Sequence, residues 1–207
     1  MTYTVKEIFY SLQGEGFHAG RPAVFCRFAG CNLWDGVERH RSRSACRFCD
    51  TDFVGAADAG RFATADALAE RIASEWPTDA DTRFVVLTGG EPLLQVDHDL
   101  CDALHAHGFV VAVETNGTIP VPDGVDWVCV SPKSADFKQR SGSEIKVVFP
   151  QPWLNMNALA TLPFEHRFVQ PMDDSRSREN AAMAVEFCLH NPGWRLSLQT
   201  HKVLGIR

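Results

Sequence analysis

The chain of 207 residues lacks a basic excess, since 20 lysines and arginines stand against 26 aspartates and glutamates, for a formal net charge of −6. This balance argues against a protein whose main task is to hold a nucleic-acid backbone, because such proteins normally carry a basic surface. No stretch approaches the ~18 apolar residues of a membrane span, and the N-terminal stretch has no apolar segment of a secretion signal. We therefore expect no direct nucleic-acid contact and no membrane contact, although one or two arginines could hold a small anionic substrate.

Cysteine is present, but in the wrong number and spacing for a disulfide framework. Of seven cysteines, Cys31, Cys46 and Cys49 cluster, with fourteen residues between the first two and two between the last two. Without a secretion signal, such thiols indicate the reducing cytoplasm, where clustered cysteines are metal ligands or reactive groups more often than disulfides. The other four stand singly among apolar neighbours, and we expect them to be small buried residues: Cys26, Cys101, Cys129 and Cys188.

Seven apolar, β-branched runs end in polar or glycine-rich clusters and predict buried strands. They cover residues 23–30, 83–92, 109–117, 126–133, 144–150, 166–173 and 195–202. Helices are predicted at residues 64–76, 96–108 and 177–190. Strands that alternate with helices predict an α/β fold. Because a full eight-unit barrel usually needs ~250 residues, we expect one domain, 1–207, that forms an incomplete (β/α) barrel with the cysteine loop after the first strand.

Polar residues follow these strands at their carboxyl ends. They are Thr88 and Glu91, Glu114 and Asn116, Ser131 and Lys133, Gln170, and Thr200 with His201. Loops that leave several strands of a barrel converge at this rim, so we expect the functional site there. The cysteine loop belongs to the same rim. The segment 32–45 between its first two cysteines is predicted to be a loop or short helix whose charges are solvated.

Two kinds of metal site are compatible with three clustered thiolates. Structural zinc is closed and four-coordinate, so a zinc site would have to recruit Cys26 or a histidine. Three thiolates without a fourth suit a 4Fe–4S cluster with one iron left open, which can chelate an amine and a carboxylate. The spacing alone leaves both open.

Further motifs carry a resemblance to the radical S-adenosylmethionine (SAM) enzymes. TGGEP (88–92) ends the strand after the cysteine loop, and its GGE resembles the segment that binds the methionyl amino group of SAM. Phe48 occupies the aromatic position that packs on adenine. SLQGEG (11–16), Arg27 and QTHK (199–202) then make the chain similar to the 7-carboxy-7-deazaguanine synthases. Members of that family can carry a longer spacing between the first two clustered cysteines than radical SAM enzymes usually have. The resemblance runs from about residue 8 to the C-terminus.

This resemblance implies the cofactors and the reaction. The cofactors are a 4Fe–4S cluster, SAM and Mg²⁺. An electron from the reduced cluster cleaves SAM to a 5′-deoxyadenosyl radical, which takes hydrogen from C6 of 6-carboxy-5,6,7,8-tetrahydropterin. The substrate radical contracts to a five-membered ring, loses ammonia and yields 7-carboxy-7-deazaguanine, which leads to deazapurines such as queuosine. Hydrogen return regenerates SAM.

The resemblance also implies the site residues. The cluster ligands are Cys31, Cys46 and Cys49. The SAM contacts are Phe48, Cys49, Asp50, Gly89, Gly90, Glu91, Ser131, Pro132, Lys133, Gln170, Pro171, Met172 and Asp173. The substrate contacts are Leu12, Gln13, Gly14, Glu15, Arg27, Thr88, Glu114, His201 and Arg207. Arg27 can hold the substrate carboxylate as a fork. Thr51 is the implied Mg²⁺ ligand, because the neighbouring carboxylates of Asp50 and Asp52 would compete with an anionic substrate.

The remaining expectations concern partners and alternatives. The resemblance implies a homodimer, an electron-donor protein such as flavodoxin, and a C-terminal tail that folds over the substrate, where its terminal carboxylate accepts N–H groups of the pterin. One alternative is another radical SAM enzyme, such as an activase of glycyl-radical proteins, which would not need SLQGEG or Arg27. The other is a zinc-ribbon binding protein that uses Cys26 together with the three clustered cysteines.

Overall fold

A computed structural model describes residues 2–55, 60–77 and 82–207. Within these residues nine strands form one sheet in the order β3-β1-β2-β4-β5-β6-β7-β8-β9. They are β1 (Tyr3–Leu12), β2 (Pro22–Phe28), β3 (Gly60–Phe62), β4 (Arg83–Gly89), β5 (Phe109–Thr115), β6 (Trp127–Val130), β7 (Gly142–Phe149), β8 (Phe164–Pro171) and β9 (Arg195–Leu196). The strands β2 and β4 to β9 run parallel, whereas β1 and β3 are antiparallel to their neighbours. The sheet does not close, which confirms the incomplete barrel.

Five α-helices accompany the strands in the described part of the chain. They are α1 (Ala65–Ala73), α2 (His98–Ala106), α3 (Met156–Ala160), α4 (Ser177–His190) and α5 (Thr200–Leu204), with 3₁₀ turns at Glu38–Arg43 and Pro92–Leu94. Thr64 caps α1 by accepting a hydrogen bond from the amide of Ala67 at 3.2 Å. Gly108 follows α2 with φ +75°, a conformation that favours glycine. None of the described helices is both long and apolar enough to cross a bilayer.

The two faces of the parallel strands differ in chemistry. On β2, the side chains of Val24, Cys26 and Phe28 are fully buried in the apolar cluster that packs against α1 and α2. The alternate residue Arg27 lines the interior of the barrel instead. Because successive side chains point to opposite faces of a strand, one face of β2 packs in this core, and Arg27 on the other face reaches the site.

The seven predicted parallel strands are confirmed, but two strands were not predicted. In β1 the pairing register with β2 shifts between Val5 and Glu7, so the apolar alternation that marks a strand is interrupted at that bulge. Because β1 precedes β2, the cysteine loop follows the second strand and not the first. The short strand β3 pairs only with Tyr3–Val5.

The prediction of a strand over residues 195–202 is wrong beyond Leu196. After β9 the chain turns away from β8, and the amide of Thr200 donates to the carbonyl oxygen of Gly14 at 3.0 Å. Helix α5 begins there, so His201 lies on a helix rather than at a strand end. We call residues 197–207 the C-terminal segment.

The C-terminal segment and the loop after β1 fill the open side of the barrel together. The hydroxyl of Ser11 donates to the main-chain oxygen of Arg207 at 2.7 Å, and the amide of Gly16 donates to the hydroxyl of Ser197 at 2.9 Å. A side chain at Gly14 would overlap the ring of His201, so glycine is required for this close contact. The segment thus links the end of β9 to β1.

Candidate active site

A cavity of about 360 Å³ opens at the carboxyl ends of the parallel strands. Most residues predicted for the site line it: Leu12, Gln13, Gly14, Glu15, Arg27, Cys46, Phe48, Cys49, Asp50, Thr51, Thr88, Gly89, Gly90, Glu114, Ser131, Lys133, Gln170, Pro171, Met172, Asp173, His201 and Arg207. Three predicted residues lie outside the lining: Cys31, Glu91 and Pro132. Most of the residues predicted from the sequence therefore lie around one cavity.

The three clustered cysteines lie at one end of this cavity. Cys31 follows β2 and lies against Gly90, the residue after β4. Cys46 and Cys49 line the cavity wall. The thiol of Cys46 shares a hydrogen bond with Cys49, which lowers the pKa of Cys49 to about 6 and raises that of Cys46. Burial raises the pKa of Cys31, whereas the amides of Leu33 and Trp34 oppose that rise.

The thiols fit an iron–sulfur cluster better than zinc. Among the described residues, no three His, Cys, Asp or Glu side chains converge closely enough to hold one metal ion. Cys26, the fourth ligand of the zinc alternative, is fully buried in the apolar core on the opposite face of β2. Three thiolates are the full set of protein ligands for a 4Fe–4S cluster with one open iron. The zinc-ribbon alternative therefore lacks its fourth ligand.

Two glycines bring the end of β4 close to β2. Gly89 has φ +134°, and a side chain there would overlap the backbone of Phe28. A side chain at Gly90 would overlap the carbonyl oxygen of Gly30. The resemblance implied that these glycines contact SAM. The structure shows in addition that glycine is needed at both positions for the close packing against β2. Both remain open to the cavity.

Glu91 lies beneath the rim rather than in the cavity. Its carboxylate is fully buried and accepts three hydrogen bonds, from the hydroxyl of Thr115 at 2.7 Å and the amides of Asn116 and Leu93 at 2.8 and 3.1 Å. Burial raises its pKa, and these hydrogen bonds oppose the rise. The side chain therefore ties the end of β4 to the end of β5, and the structure does not bring it to a ligand. Pro132 is likewise buried, and its carbonyl oxygen accepts a hydrogen bond from Gln151 at 3.4 Å.

A buried polar network forms another part of the cavity wall. The ammonium group of Lys146 lies 2.5 Å from Glu15 and 3.5 Å from Glu114. The side-chain amide of Gln13 donates to Glu114 at 3.0 Å, and that of Gln199 donates to Glu15 at 3.0 Å. Burial opposes the charge of Lys146, but the carboxylates of Glu114 and Glu15 raise its pKa well above the ordinary value. Burial would raise the pKa of Glu15, but Lys146 lowers it.

Arg27 is held by an ion pair. Its Nε donates to Glu7 at 2.7 Å, and both side chains are about one-fifth exposed. Glu7 also pairs with the guanidinium of Arg207, which lies 4.6 Å from the centroid of the Phe9 ring. Arg207 lines the cavity and rests on β1 through these contacts.

The residues around Thr51 are engaged with lysines. Asp50 lies 2.6 Å from Lys202, which also pairs with Asp173 at 2.6 Å. Asp52 lies 3.1 Å from Lys6. Thr51 stands between these two carboxylates on the cavity wall.

Phe48 faces the cavity beside a second aromatic ring. Its centroid is 6.4 Å from that of Trp153, and the ammonium group of Lys133 lies 5.5 Å from the Phe48 centroid. Lys133 also donates to the hydroxyl of Ser131 at 2.7 Å. Aromatic and cationic groups therefore meet on this wall.

Four charged or amide residues of the site were not predicted: Glu7, Lys146, Gln199 and Lys202. Lys146 carried a usable signal, because a lone lysine within the apolar run 144–150 has to face a polar interior. Gln199 and Lys202 flank the predicted His201 and share a hydrogen bond at 3.0 Å. Their positions depend on the turn that starts α5. That turn was not predicted, because residues 195–202 were predicted to form one continuous strand.

Comparisons with known proteins agree with this arrangement. Residues 41–141 match the Radical SAM superfamily. Over their full lengths, the chain is 58% identical to the 7-carboxy-7-deazaguanine synthase of Bradyrhizobium diazoefficiens and 56% identical to that of Burkholderia multivorans. The crystal structure of QueE from Escherichia coli superposes with a TM-score of 0.71 at 29% identity, covering 96% of this chain and 94% of that chain. A radical SAM enzyme of this kind holds a 4Fe–4S cluster and SAM, and it acts on a small molecule with an external reductant. Because identity exceeds half over full-length relatives, the chain belongs to the 7-carboxy-7-deazaguanine synthase family of radical SAM enzymes.

Proposed function

We propose that the chain is a radical SAM lyase that converts 6-carboxy-5,6,7,8-tetrahydropterin to 7-carboxy-7-deazaguanine, with loss of ammonia, in queuosine biosynthesis. The observation that carries the proposal is one cavity lined both by thiols and by the network of Gln13, Glu15, Glu114 and Lys146. A cavity of about 360 Å³ suits a small heterocycle. An activase of glycyl-radical proteins would have to admit a polypeptide loop instead.

The cofactors would be held at the thiol end. Cys31, Cys46 and Cys49 would hold the cluster, which when bound supplies the electron for reductive cleavage of SAM to the 5′-deoxyadenosyl radical. Phe48 offers a ring face to adenine, and the open backbone at Gly89 and Gly90 lets a ligand approach closely. The remaining contacts to the ribose, carboxylate and amino group come from the rim residues Asp50, Ser131, Lys133, Gln170, Pro171, Met172 and Asp173.

The pterin would occupy the other end. Arg27 uses its Nε–H for Glu7, and the outer edge of its guanidinium can bind the substrate carboxylate. Glu15 and Glu114 accept N–H groups of the amino-pyrimidinone edge, with Gln13 as an additional partner. The lining residues Leu12, Gly14, Thr88, His201 and Arg207 shape the pocket around the ring and exclude water from it.

Thr51 would hold Mg²⁺, which would supply a positive charge for the substrate carboxylate. The hydroxyl of Thr51 is a hard oxygen ligand, and such a cation keeps several waters. The neighbouring carboxylates of Asp50 and Asp52 are already paired with lysines, which supports the choice of Thr51. In Thr51→Ala we expect Mg²⁺ to raise turnover less than in the parent, with cluster content unchanged. Equal Mg²⁺ activation in both proteins would exclude this ligand.

The partners follow from the same chemistry. An electron-donor protein such as flavodoxin reduces the cluster, and the chain acts as a homodimer. The seven cysteines are free thiols in the structure, which is compatible with the reducing cytoplasm as its location.

Anaerobic turnover tests the proposed function. The reconstituted protein is mixed with SAM, Mg²⁺, a reductant and the carboxypterin, and the products are separated by chromatography with mass detection. We expect 7-carboxy-7-deazaguanine, with SAM regenerated at each cycle. Formation of 5′-deoxyadenosine without any deazapurine would show that the pterin is not the substrate.

A further inference from the structure

A buried lysine stands between the two carboxylates at the pterin end of the cavity. Lys146 lies on β7, its side chain is 4% exposed, and it contacts Glu15 at 2.5 Å and Glu114 at 3.5 Å. A charged lysine is almost never buried without partners. Its position is therefore to be explained through its two carboxylate partners.

We infer that Lys146 is a positioning residue whose ammonium group, held between Glu15 and Glu114, compensates and aligns the two carboxylates so that both accept N–H bonds from the amino-pyrimidinone edge. The inference rests on the proposed function, because the pterin is the ligand whose N–H groups are read. An ionised carboxylate is an acceptor only, whereas a protonated one donates from one oxygen. A proton shared between Glu15 and Glu114 would therefore place an O–H donor against the N–H donors of the pterin edge.

The charges around Lys146 require such a cation. Glu15 from the loop after β1 and Glu114 from β5 face it directly, and Glu144 and Cys129 lie nearby on β7 and β6. Burial raises the pKa of the Cys129 thiol, so it stays neutral. His201 of α5 faces Glu15 from the other side. Two carboxylates in a largely buried site raise the pKa of one of them unless a cation lies between.

The amide side chains complete the alignment. Gln13 donates to Glu114 at 3.0 Å and Gln199 donates to Glu15 at 3.0 Å. Each carboxylate has about four lone-pair sites, so one lysine and one amide leave acceptor capacity for the substrate. Lys146 thereby sets both the charge and the orientation of the two acceptors.

The test compares Lys146→Met with the parent, with Lys146→Arg as the conservative variant and Lys138→Met at an exposed lysine as the matched control. The pterin KM is measured from pH 6 to pH 9. In the methionine variant we expect a KM raised about tenfold or more at pH 7, falling as pH rises and the shared proton is lost. The parent and Lys138→Met should show a flat profile over this range, and Lys146→Arg should recover part of the loss. SAM binding and iron content should not change.

A second measurement does not depend on turnover. Isotope-edited infrared spectroscopy of the Glu side chains should show a protonated carboxyl band at pH 7 in Lys146→Met and not in the parent. If Lys146→Met fails to fold, the double variant Lys146→Met with Glu15→Gln removes both charges and should show neither the band nor the pH-dependent KM. A parent that makes 7-carboxy-7-deazaguanine, with a Lys146→Met variant that lacks both the band and the pH dependence, would overturn the inference and leave the proposed function standing. Where the double variant takes its place, a protonated carboxyl band in the double variant would overturn the inference. A parent that makes no deazaguanine would overturn the function, while the infrared band would still report the charge state.

Discussion

At the residue scale, the charged side chains of the cavity occur in linked sets rather than as isolated ions. Arg27 and Arg207 share Glu7, and Lys202 links Asp50 with Asp173. Removing one member of a buried set leaves its partner uncompensated, which costs more than the pair contributes. The exposed Lys202 pairs are screened and contribute less. Each substitution in the site therefore has to be read together with its partner.

Serine substitutions separate the cluster ligands from the other cysteines. Replacing Cys31, Cys46 or Cys49 should abolish the charge-transfer absorption of the cluster and lower the iron content, because a serine is a poor ligand for this iron. The other four cysteines, Cys26, Cys101, Cys129 and Cys188, should tolerate serine with the absorption retained. Cys188 is the best control because it is half-buried and distant from the core of β2. Loss of the cluster in Cys26→Ser, with the fold intact, would contradict the ligand set.

Arg27→Ala should impair use of the pterin and spare SAM. A charge-assisted hydrogen bond is worth roughly 1.5–3 kcal/mol, which corresponds to a loss of about ten- to a hundredfold in kcat/KM. Steady-state kinetics with each substrate varied in turn measure this, with circular dichroism as the check on folding. Glu7→Gln is the matched variant, since it removes the ion pair but keeps the guanidinium. An unfolded Arg27→Ala protein would indicate that the Arg27–Glu7 pair is structural.

At the element scale, the insertion between Cys31 and Cys46 folds back on the cysteine loop. Arg41, on the 3₁₀ turn Glu38–Arg43, donates to the carbonyl oxygen of Cys49 at 3.0 Å. Its guanidinium also lies 4.0 Å from the centroid of the Trp34 ring and pairs with Glu38 at 2.9 Å. The long segment between Cys31 and Cys46 thus stabilises the cysteine loop through Arg41.

Arg41→Ala should therefore loosen the cluster. A lost hydrogen bond from a charged donor, together with the lost stacking on Trp34, should speed release of iron to a chelator by roughly tenfold under anaerobic conditions. Arg43→Ala is the control, since Arg43 is exposed on the same turn. The rate of iron release, followed by the absorbance of the chelate, measures the effect. Equal rates in the two variants would mean that the insertion does not support the loop.

The same elements show what the sequence could and could not predict. The strands that carry Thr88, Glu114, Ser131 and Gln170 at or next to their carboxyl ends were predictable, because each is a short apolar run followed by polar residues, and parallel strands place those ends on one rim. The hydrogen-bond and ion-pair partners of Glu91 and Lys146 were not predictable. The pattern of a strand indicates which face a residue occupies, but it does not indicate which residues of other elements contact that face. The bulge in β1 and the turn into α5 depend on contacts with β2 and Gly14, which lie elsewhere in the chain.

At the scale of the whole molecule, the C-terminal segment forms the wall that covers the open side of the barrel. Ser11 and Glu7 of β1 hold Arg207, and Gly14 holds Thr200. The wall lines the pterin end through His201 and Arg207. The site is thus complete only when residues far apart in sequence meet across the gap in the sheet.

Deletion of residues 204–207 should raise the KM for the pterin and leave SAM affinity nearly unchanged. The deletion removes the contacts of Arg207 with Ser11 and Glu7 but leaves Lys202 and its pairs with Asp50 and Asp173. Kinetics with the pterin and equilibrium binding of SAM measure the two effects. Residues appended after Arg207 should act in the same direction. An extended protein with the parent's KM would show that the tail stands clear of the substrate.

The order of strands in the sheet has a consequence for how the molecule is made. From β2 through β4 to β9 the strands lie side by side in the order in which a ribosome would deliver them. At ~5–20 residues/s, the C-terminal segment emerges on the order of ten seconds after Cys49. The wall of the cavity, which Ser11 and Glu7 hold through Arg207, is therefore the last part of the site to be made.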